Sequence, residues 1–291
     1  MIVRKTKIFL EMIKFEHTIF ALPFAYMGAL LGAFMTTGKL PSWADIGWIT
    51  LAMVGARSAA MGLNRVIDKA IDAKNPRTKG RAIPAGLVSS KEALIFIVIS
   101  FILLLVSAAQ LNTLCLILMP VAVFFLVMYS YTKRFTWLCH VFLGLTIGLA
   151  PLGGWIAVTA SVDWIAILFY LAVAFWIAGF DVIYACQDTE FDKKNGLYSI
   201  PSQFGIAKAL MIAKCFHVIT SIGFISLIML TDLSWWYMIG VIIAIGLLYY
   251  EHRLVKPHDL SKLNAAFFTM NGVLSVIVFA FTLIDLVVLT I

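Results

Sequence analysis

The chain has 291 residues, of which 62% are apolar and 13% are Asp, Glu, Lys or Arg. Soluble domains carry about 45–50% and about 25%. Mean hydropathy is +0.99. Too little charge is present to cover a surface in water, which excludes a water-soluble domain, a disordered chain and a disulfide scaffold. What remains is an all-α, polytopic membrane bundle, since a transmembrane barrel would alternate in short strands.

In chain order, the first charge-free run covers residues 18–38 and follows Arg4, Lys5, Lys7 and Lys14. It lacks the small-residue cleavage site of a signal peptide and reads as a retained span. The second, 46–63, is interrupted only by Arg57. Between Glu92 and Lys133 lie 40 residues without Asp, Glu, Lys or Arg. One span needs about 20 residues, so this stretch predicts two helices and a tight outer turn near Gln110–Thr113. Further runs cover 135–162, 164–180, 215–231, 233–250 and 263–284. The pattern predicts nine spans in one domain, 1–291.

Basic residues cluster after every second span: seven Lys/Arg from Arg65 to Lys91, then Lys133 and Arg134, then Lys193, Lys194, Lys208 and Lys214, then Arg253, Lys256 and Lys262. Lys39 alone falls in the alternate connections. The positive-inside rule predicts a cytoplasmic N-terminus, cytoplasmic basic loops and a C-terminus across the membrane. The net charge of +7 is thus gathered on one face, where orientation and anionic lipid account for most of it. Cys115, Cys139, Cys186 and Cys215 lack paired metal-ligand spacing and read as buried thiols. No phosphate-binding Gly-rich loop and no signature of a nucleic-acid partner is present.

Two hydrophilic loops carry the chemistry. At the predicted cytoplasmic end of span two, Asn64, Asp68 and Asp72 stand four residues apart, within an arc of about 80° if the helix continues. Arg57 lies about two turns deeper. At the end of span six, Asp181, Asp188 and Asp192 fall within about 40° on a continuous helix, with Tyr184 nearby. Carboxylates clustered with an amide and unmatched by adjacent bases suit a hard divalent cation, and Mg²⁺ shares itself with substrate phosphates. Arg65, Lys69, Arg77, Lys79, Arg81, Lys133 and Arg134 would neutralise the remaining phosphate charge. The combination reads as a metal–diphosphate site facing a greasy interior, which fits an isoprenyl diphosphate. A single Asp-x-x-x-Asp is more often a solvated helix end, but two on one side favour a shared site. Arg57 and Asp181, charges near the apolar layer, read either as cavity-facing groups or as an ion pair between spans two and six.

At these residues the chain resembles the UbiA-type membrane prenyltransferases. Asn64-x-x-x-Asp68-x-x-x-Asp72 and Asp188-x-x-x-Asp192 resemble that family's two aspartate-rich motifs. Arg57-Ser58-Ala59, Thr78-Lys79-Gly80-Arg81-Ala82-Ile83-Pro84-Ala85-Gly86 and Tyr129-x-x-x-Lys133-Arg134-x-Thr136 follow its pattern as well. The resemblance implies helices around a central cavity open to the cytoplasmic face of a bacterial inner membrane. It implies transfer of a polyprenyl group to an aromatic acceptor, with Mg²⁺ held by Asn64, Asp68, Asp72, Asp188 and Asp192. Arg65, Lys79, Arg81, Lys133 and Arg134 are the implied diphosphate contacts. Tyr129, Tyr131 and Tyr184 would face the allylic cation, and Arg57 and Asp181 are further candidates near the acceptor, Arg57 for its carboxylate.

Within the family the closest similarity is to 4-hydroxybenzoate polyprenyltransferases of ubiquinone synthesis. Ser130 and Cys139-His140 depart from the family's Pro and Pro-Gln. The segments Lys14-Phe15-Glu16-His17-Thr18-Ile19-Phe20-Ala21-Leu22-Pro23 and Leu197-Tyr198-Ser199-Ile200-Pro201 resemble a subgroup that includes enzymes proposed for futalosine-route menaquinone synthesis. Their acceptor would be a dihydroxynaphthoate. A membrane transporter, or prenyl transfer to a macrocycle such as haem or a chlorophyllide, are the rival readings. The transporter would require inverted repeats and midplane sites.

Overall fold

The computed structural model describes residues 8–13 and 20–290. The sequence features at Arg4, Lys5, Lys7 and residues 14–19, including Glu16 and His17, lie outside the described residues. Among the described residues nine long helices follow one another: α1 (Leu22–Thr37), α2 (Trp43–Ile67), α3 (Ser90–Leu111), α4 (Thr113–Thr132), α5 (Cys139–Thr159), α6 (Trp164–Ala185), α7 (Ile206–Leu230), α8 (Trp235–Leu254) and α9 (Asn271–Thr290). Seven helical segments among the described residues are long and apolar enough to cross a membrane, against nine expected. The other two expected spans are α1, with 16 residues, and α8, whose last turn carries His252 and Arg253 beside Glu251.

Local chemistry sets the boundaries. Ser42 with Asp45 and Ser89 with Glu92 form reciprocal capping boxes that open α2 and α3. Asn112 is the entire turn between α3 and α4: its side chain accepts from Cys115 N and donates to Ile156 O and Ala157 O of α5. Asp163 caps α6 by accepting from Ile165 N.

Lipid gives no hydrophobic drive for one helix to meet another, so close packing decides the assembly. A Cβ on Gly28 would collide with the Pro151 carbonyl, and one on Gly154 with the Ala25 carbonyl, so glycines set the α1–α5 crossing. α6 is the central post, with Trp176, Ile177, Val182 and Ile183 fully buried. Ile95, Val98, Ile99 and Ile102 are exposed at helical spacing on α3, as are Val218, Ile222 and Ile225 on α7. Those faces suit hydrocarbon rather than water. The same outward face explains why Cys215 is exposed and only Cys186 is buried, where four buried thiols were expected.

One polar network crosses the apolar core. Asn271, fully buried, accepts from Trp176 Nε1 at 2.8 Å and donates to Glu251 Oε1 at 2.9 Å. Its amide also donates to the carbonyls of Ala266 and Phe267, at the start of a π-helical turn, Ala265–Met270, that leads into α9.

Candidate active site

The first motif sits where α2 ends. Asp68 leaves helical geometry (φ −89°, ψ 4°) although its N–H still bonds Asn64 O, and a short helix, Lys69–Lys74, departs from it. The expected continuous face therefore breaks at Asp68. Asn64 and Asp68 stay together, Nδ2 donating to Oδ2 at 3.0 Å. Asp72 is carried away to Arg81, whose Nη1 lies 2.7 and 2.9 Å from its two oxygens. Asn64 is fixed at its other end by Arg65 Nη1, which donates to Oδ1 at 3.0 Å.

The second motif also follows a break. α6 ends at Ala185, a 3-10 turn covers Cys186–Asp188, and the short helix Thr189–Lys194 follows. Asp181, Tyr184, Asp188 and Asp192 nevertheless all line one cavity with Asn64 and Asp68. The loops join the two motifs. Arg77 grips Asp188 with Nη2 at 2.5 Å from Oδ2 and Nε at 3.0 Å from Oδ1, while Asn75 Nδ2 donates to Oδ1 at 3.2 Å. Burial pulls the Arg77 guanidinium down, but its hydrogen bonds and charge contact with Asp188 outweigh this and hold it above its ordinary value. Tyr198 N donates to Lys133 O at 2.7 Å, tying the α4–α5 loop to the segment after the second motif.

The acids are not unmatched, as the sequence suggested. Asp68, 1% exposed, meets Lys133 Nζ at 2.6 Å and Arg134 Nη2 at 3.3 Å. Asp72 pairs with Arg81 and Asp188 with Arg77. For Asp68 and Asp188 the basic partners are distant in sequence and arrive by folding, which linear spacing does not reveal. Asp192 differs: it accepts from Ser199 Oγ at 3.0 Å and has no ion pair among the described residues.

The cavity has a volume of about 1260 Å³. Arg57, Asn64, Arg65, Asp68, Arg81, Tyr129, Lys133, Asp181, Tyr184, Asp188 and Asp192, all expected from the sequence, line it. Asp72, Lys79, Tyr131 and Arg134 do not. Lys79 is exposed, and Arg134 lies over the exposed Tyr131 ring, 5.3 Å from its centroid. Arg65 is buried and donates from Nε to Met12 O, so it braces Asn64 as well as bordering the cavity. Tyr129 donates its hydroxyl to Ala60 O at 3.1 Å. Of the two readings of Arg57 and Asp181, both residues line the cavity, and Asp181 pairs with His140 rather than with Arg57.

Phe267 and Phe268 also line the cavity and were missed by the sequence reading. Phe267 stacks on Tyr184 with centroids 4.1 Å apart and meets Phe180 edge-on at 5.3 Å. Two phenylalanines among 22 carry no distinguishing signal, and a π-turn has no hydropathy signature. The nearby Asn271, a polar residue inside an apolar run, was the available clue.

Chemically, the mouth gathers charge of both signs above apolar walls such as Ala52, Leu104, Leu118 and Leu126. Among the described residues no three His, Cys, Asp or Glu side chains converge closely enough to hold a metal alone. The donor set fits a divalent cation that completes its shell with an anionic ligand: Asp68 with Asn64 on one side, Asp188 and Asp192 on the other, and cations beside them for the anion.

The chain is similar to known proteins. Residues 24–273 match the model of the UbiA prenyltransferase family. A 4-hydroxybenzoate octaprenyltransferase of Vibrio campbellii is 31% identical over 249 residues, covering 82% of this chain and 84% of that protein. A mitochondrial 4-hydroxybenzoate polyprenyltransferase of Arabidopsis thaliana is 33% identical over 227 residues, covering 77% of this chain and 54% of that protein. The apo structure of a UbiA homologue from Aeropyrum pernix is 32% identical with a TM-score of 0.83, over 93% of this chain and 98% of that one. A UbiA homologue from Archaeoglobus fulgidus bound to GPP and Mg²⁺ shares the fold at 20% identity, with a TM-score of 0.75 over 96% of this chain and 99% of that one. With the family model spanning most of the chain and residues of both aspartate motifs lining one cavity, this integral membrane protein belongs to the UbiA prenyltransferase family.

Proposed function

We propose that the protein transfers a polyprenyl group from a polyprenyl diphosphate to the ring carbon ortho to the hydroxyl of 4-hydroxybenzoate, in a Mg²⁺-dependent step of ubiquinone synthesis. It would act in a bacterial inner membrane, with the basic loops and the cavity mouth on the cytoplasmic side. The observation that carries the reading is the mouth itself: Asp68, Asp188 and Asp192 with Lys133, Arg77 and Arg81 around one opening to an apolar cavity. The names of the bacterial and plant relatives support the acceptor, and the Archaeoglobus complex supports the metal and an allylic diphosphate.

Bound Mg²⁺ would neutralise the diphosphate and ease departure of the allylic oxygen. Asn64, Asp68, Asp188 and Asp192 would hold it. Lys133, Arg81 and Arg77 would contact the outer phosphate oxygens, and Arg65 would keep Asn64 oriented from behind. Tyr184 with Phe267, and Tyr129, which also lines the cavity, would present aromatic faces to the electron-poor carbon. Arg57, within the cavity, would pair the acceptor's carboxylate. Dry walls keep water from competing with the ring for that carbon.

The test is a competition in membranes containing the protein, supplied with a long prenyl diphosphate, Mg²⁺, 4-hydroxybenzoate and a dihydroxynaphthoate, with products identified by mass. A 3-prenyl-4-hydroxybenzoate as the main product is expected. Exclusive use of the naphthoate would move the protein to menaquinone synthesis, and no prenylated arene at all would overturn the proposal.

A further inference from the structure

One aspartate in the cavity has a partner that the other aspartates lack. Asp68 and Asp188, in the cavity, and Asp72, outside it, are each matched by Lys or Arg, and Asp192 lies next to the diphosphate mouth. Asp181, one turn before the end of α6, has a histidine instead: His140 Nδ1 lies 2.7 Å from its Oδ2. His140 stands at the start of α5, in the segment where the sequence departs from its family, and it is 3% exposed. A carboxylate can only accept, so the Nδ1–H of His140 donates and fixes the orientation of Asp181. The second oxygen, Oδ1, has no hydrogen bond or ion pair among the described residues. The Asp181 side chain is 23% exposed against 4% for His140, and both residues line the cavity, as do Arg57 and Tyr184. The more accessible member of the pair is therefore a carboxylate oxygen, held from behind and open in front.

We infer that Asp181 is the general base for the aromatic acceptor and that His140 is the residue that positions it, an inference that rests on the acceptor class proposed above. The acceptor hydroxyl gives its proton to Asp181 Oδ1 while the ortho carbon bonds to the allylic carbon. The C–O bond to diphosphate breaks, and its electron pair leaves with the diphosphate. The ring is then a neutral cyclohexadienone. It regains aromaticity when the ring proton passes to the released diphosphate and Asp181 returns its proton to the ring oxygen. Both the carboxylate and the phenol are restored, and no oxidant or further reactant is needed.

The experiment uses the full chain in membranes with Mg²⁺ and a prenyl diphosphate, comparing the parent with Asp181→Asn, His140→Gln and His140→Ala. Three rates are read: diphosphate release without acceptor, prenylation of 4-hydroxybenzoate, and prenylation of 3-fluoro-4-hydroxybenzoate, whose hydroxyl is more acidic. Removing a general base costs about 10²–10⁴-fold. Asp181→Asn should lose that much with 4-hydroxybenzoate, lose less with the fluoro analogue, and keep acceptor-free diphosphate release. His140→Ala should show the same signature more weakly, and His140→Gln, which can still donate to Asp181, should recover part of the loss. Equal losses on both acceptors, or variants that prenylate at the parent rate, overturn the inference and leave the proposed function standing. A parent chain that prenylates no hydroxyarene overturns both.

Discussion

Arg77, in the loop after the first aspartate motif, closes on Asp188 of the second with two hydrogen bonds, at 2.5 and 3.0 Å. Together with Asn75, which also donates to Asp188, it makes the two motifs halves of a single mouth. The contact is bidentate, and its Nη1 also reaches the Tyr184 hydroxyl at 3.4 Å. Arg77→Lys keeps the charge but loses the fork. A fall in kcat/KM for the prenyl diphosphate of about 10–100-fold is expected, with Arg77→Ala lower still. Initial rates at varied donor concentration give the answer.

Metal removal should stop turnover. With excess EDTA, prenylation is expected to vanish and to return on addition of Mg²⁺. Asp68→Ala and Asp188→Ala should each cost at least about 10²-fold. An Asp68→Ala/Asp188→Ala double variant that kept full turnover would sink the metal–diphosphate reading.

Asp72 should behave differently from Asp68. It lies outside the cavity, 3% exposed, bound by Arg81 and anchored through Thr78 Oγ1, which donates to its backbone carbonyl. Asp72→Ala and Arg81→Ala are expected to destabilise the 72–81 loop, with a coupling of roughly 0.5–3 kcal/mol between them. Thermal unfolding of the two single variants and the double variant in detergent measures that coupling. Strictly additive losses would show that the pair does not hold the loop.

Asn271 makes the stability prediction. Asn271→Ala leaves Trp176 Nε1, Glu251 Oε1 and the carbonyls at the π-turn without their partner. Each buried group so stranded costs about 1–3 kcal/mol, so a large loss of thermal stability is expected. Adding Glu251→Ala should restore part of it, because one of the stranded groups goes with the residue. Thermal unfolding in detergent checks both.

Much of this architecture could be read along the chain because lipid imposes a simple rule: a span must be apolar for its whole length. The 40-residue run between Glu92 and Lys133 resolved into α3 and α4 with Asn112 between them, as its length required. Asn64 and Asp68 were legible because their spacing survives to the end of α2. Asp72 was misplaced because the helix breaks at Asp68, and neither backbone dihedral has a marker in the residue types. The pairings of Arg77 with Asp188 and Lys133 with Asp68 span 111 and 65 positions, so only tertiary structure could supply them. Cys215 was misjudged because a membrane bundle has two apolar environments, core and lipid, that look alike in a sequence.

The π-turn at Ala265–Met270 acts as a phase shifter. Neighbours on an α-helix point about 100° apart, so two consecutive phenylalanines would ordinarily serve two different surfaces. Widening the turn narrows that angle, and Phe267 and Phe268 both border the cavity. The slack introduced there is absorbed before Asn271, from which α9 runs on as a regular helix to Thr290. A one-residue deletion within the turn would therefore act like a slipped gear tooth. It would leave the helix intact while turning either the aromatic wall away from the cavity or Asn271 away from Trp176.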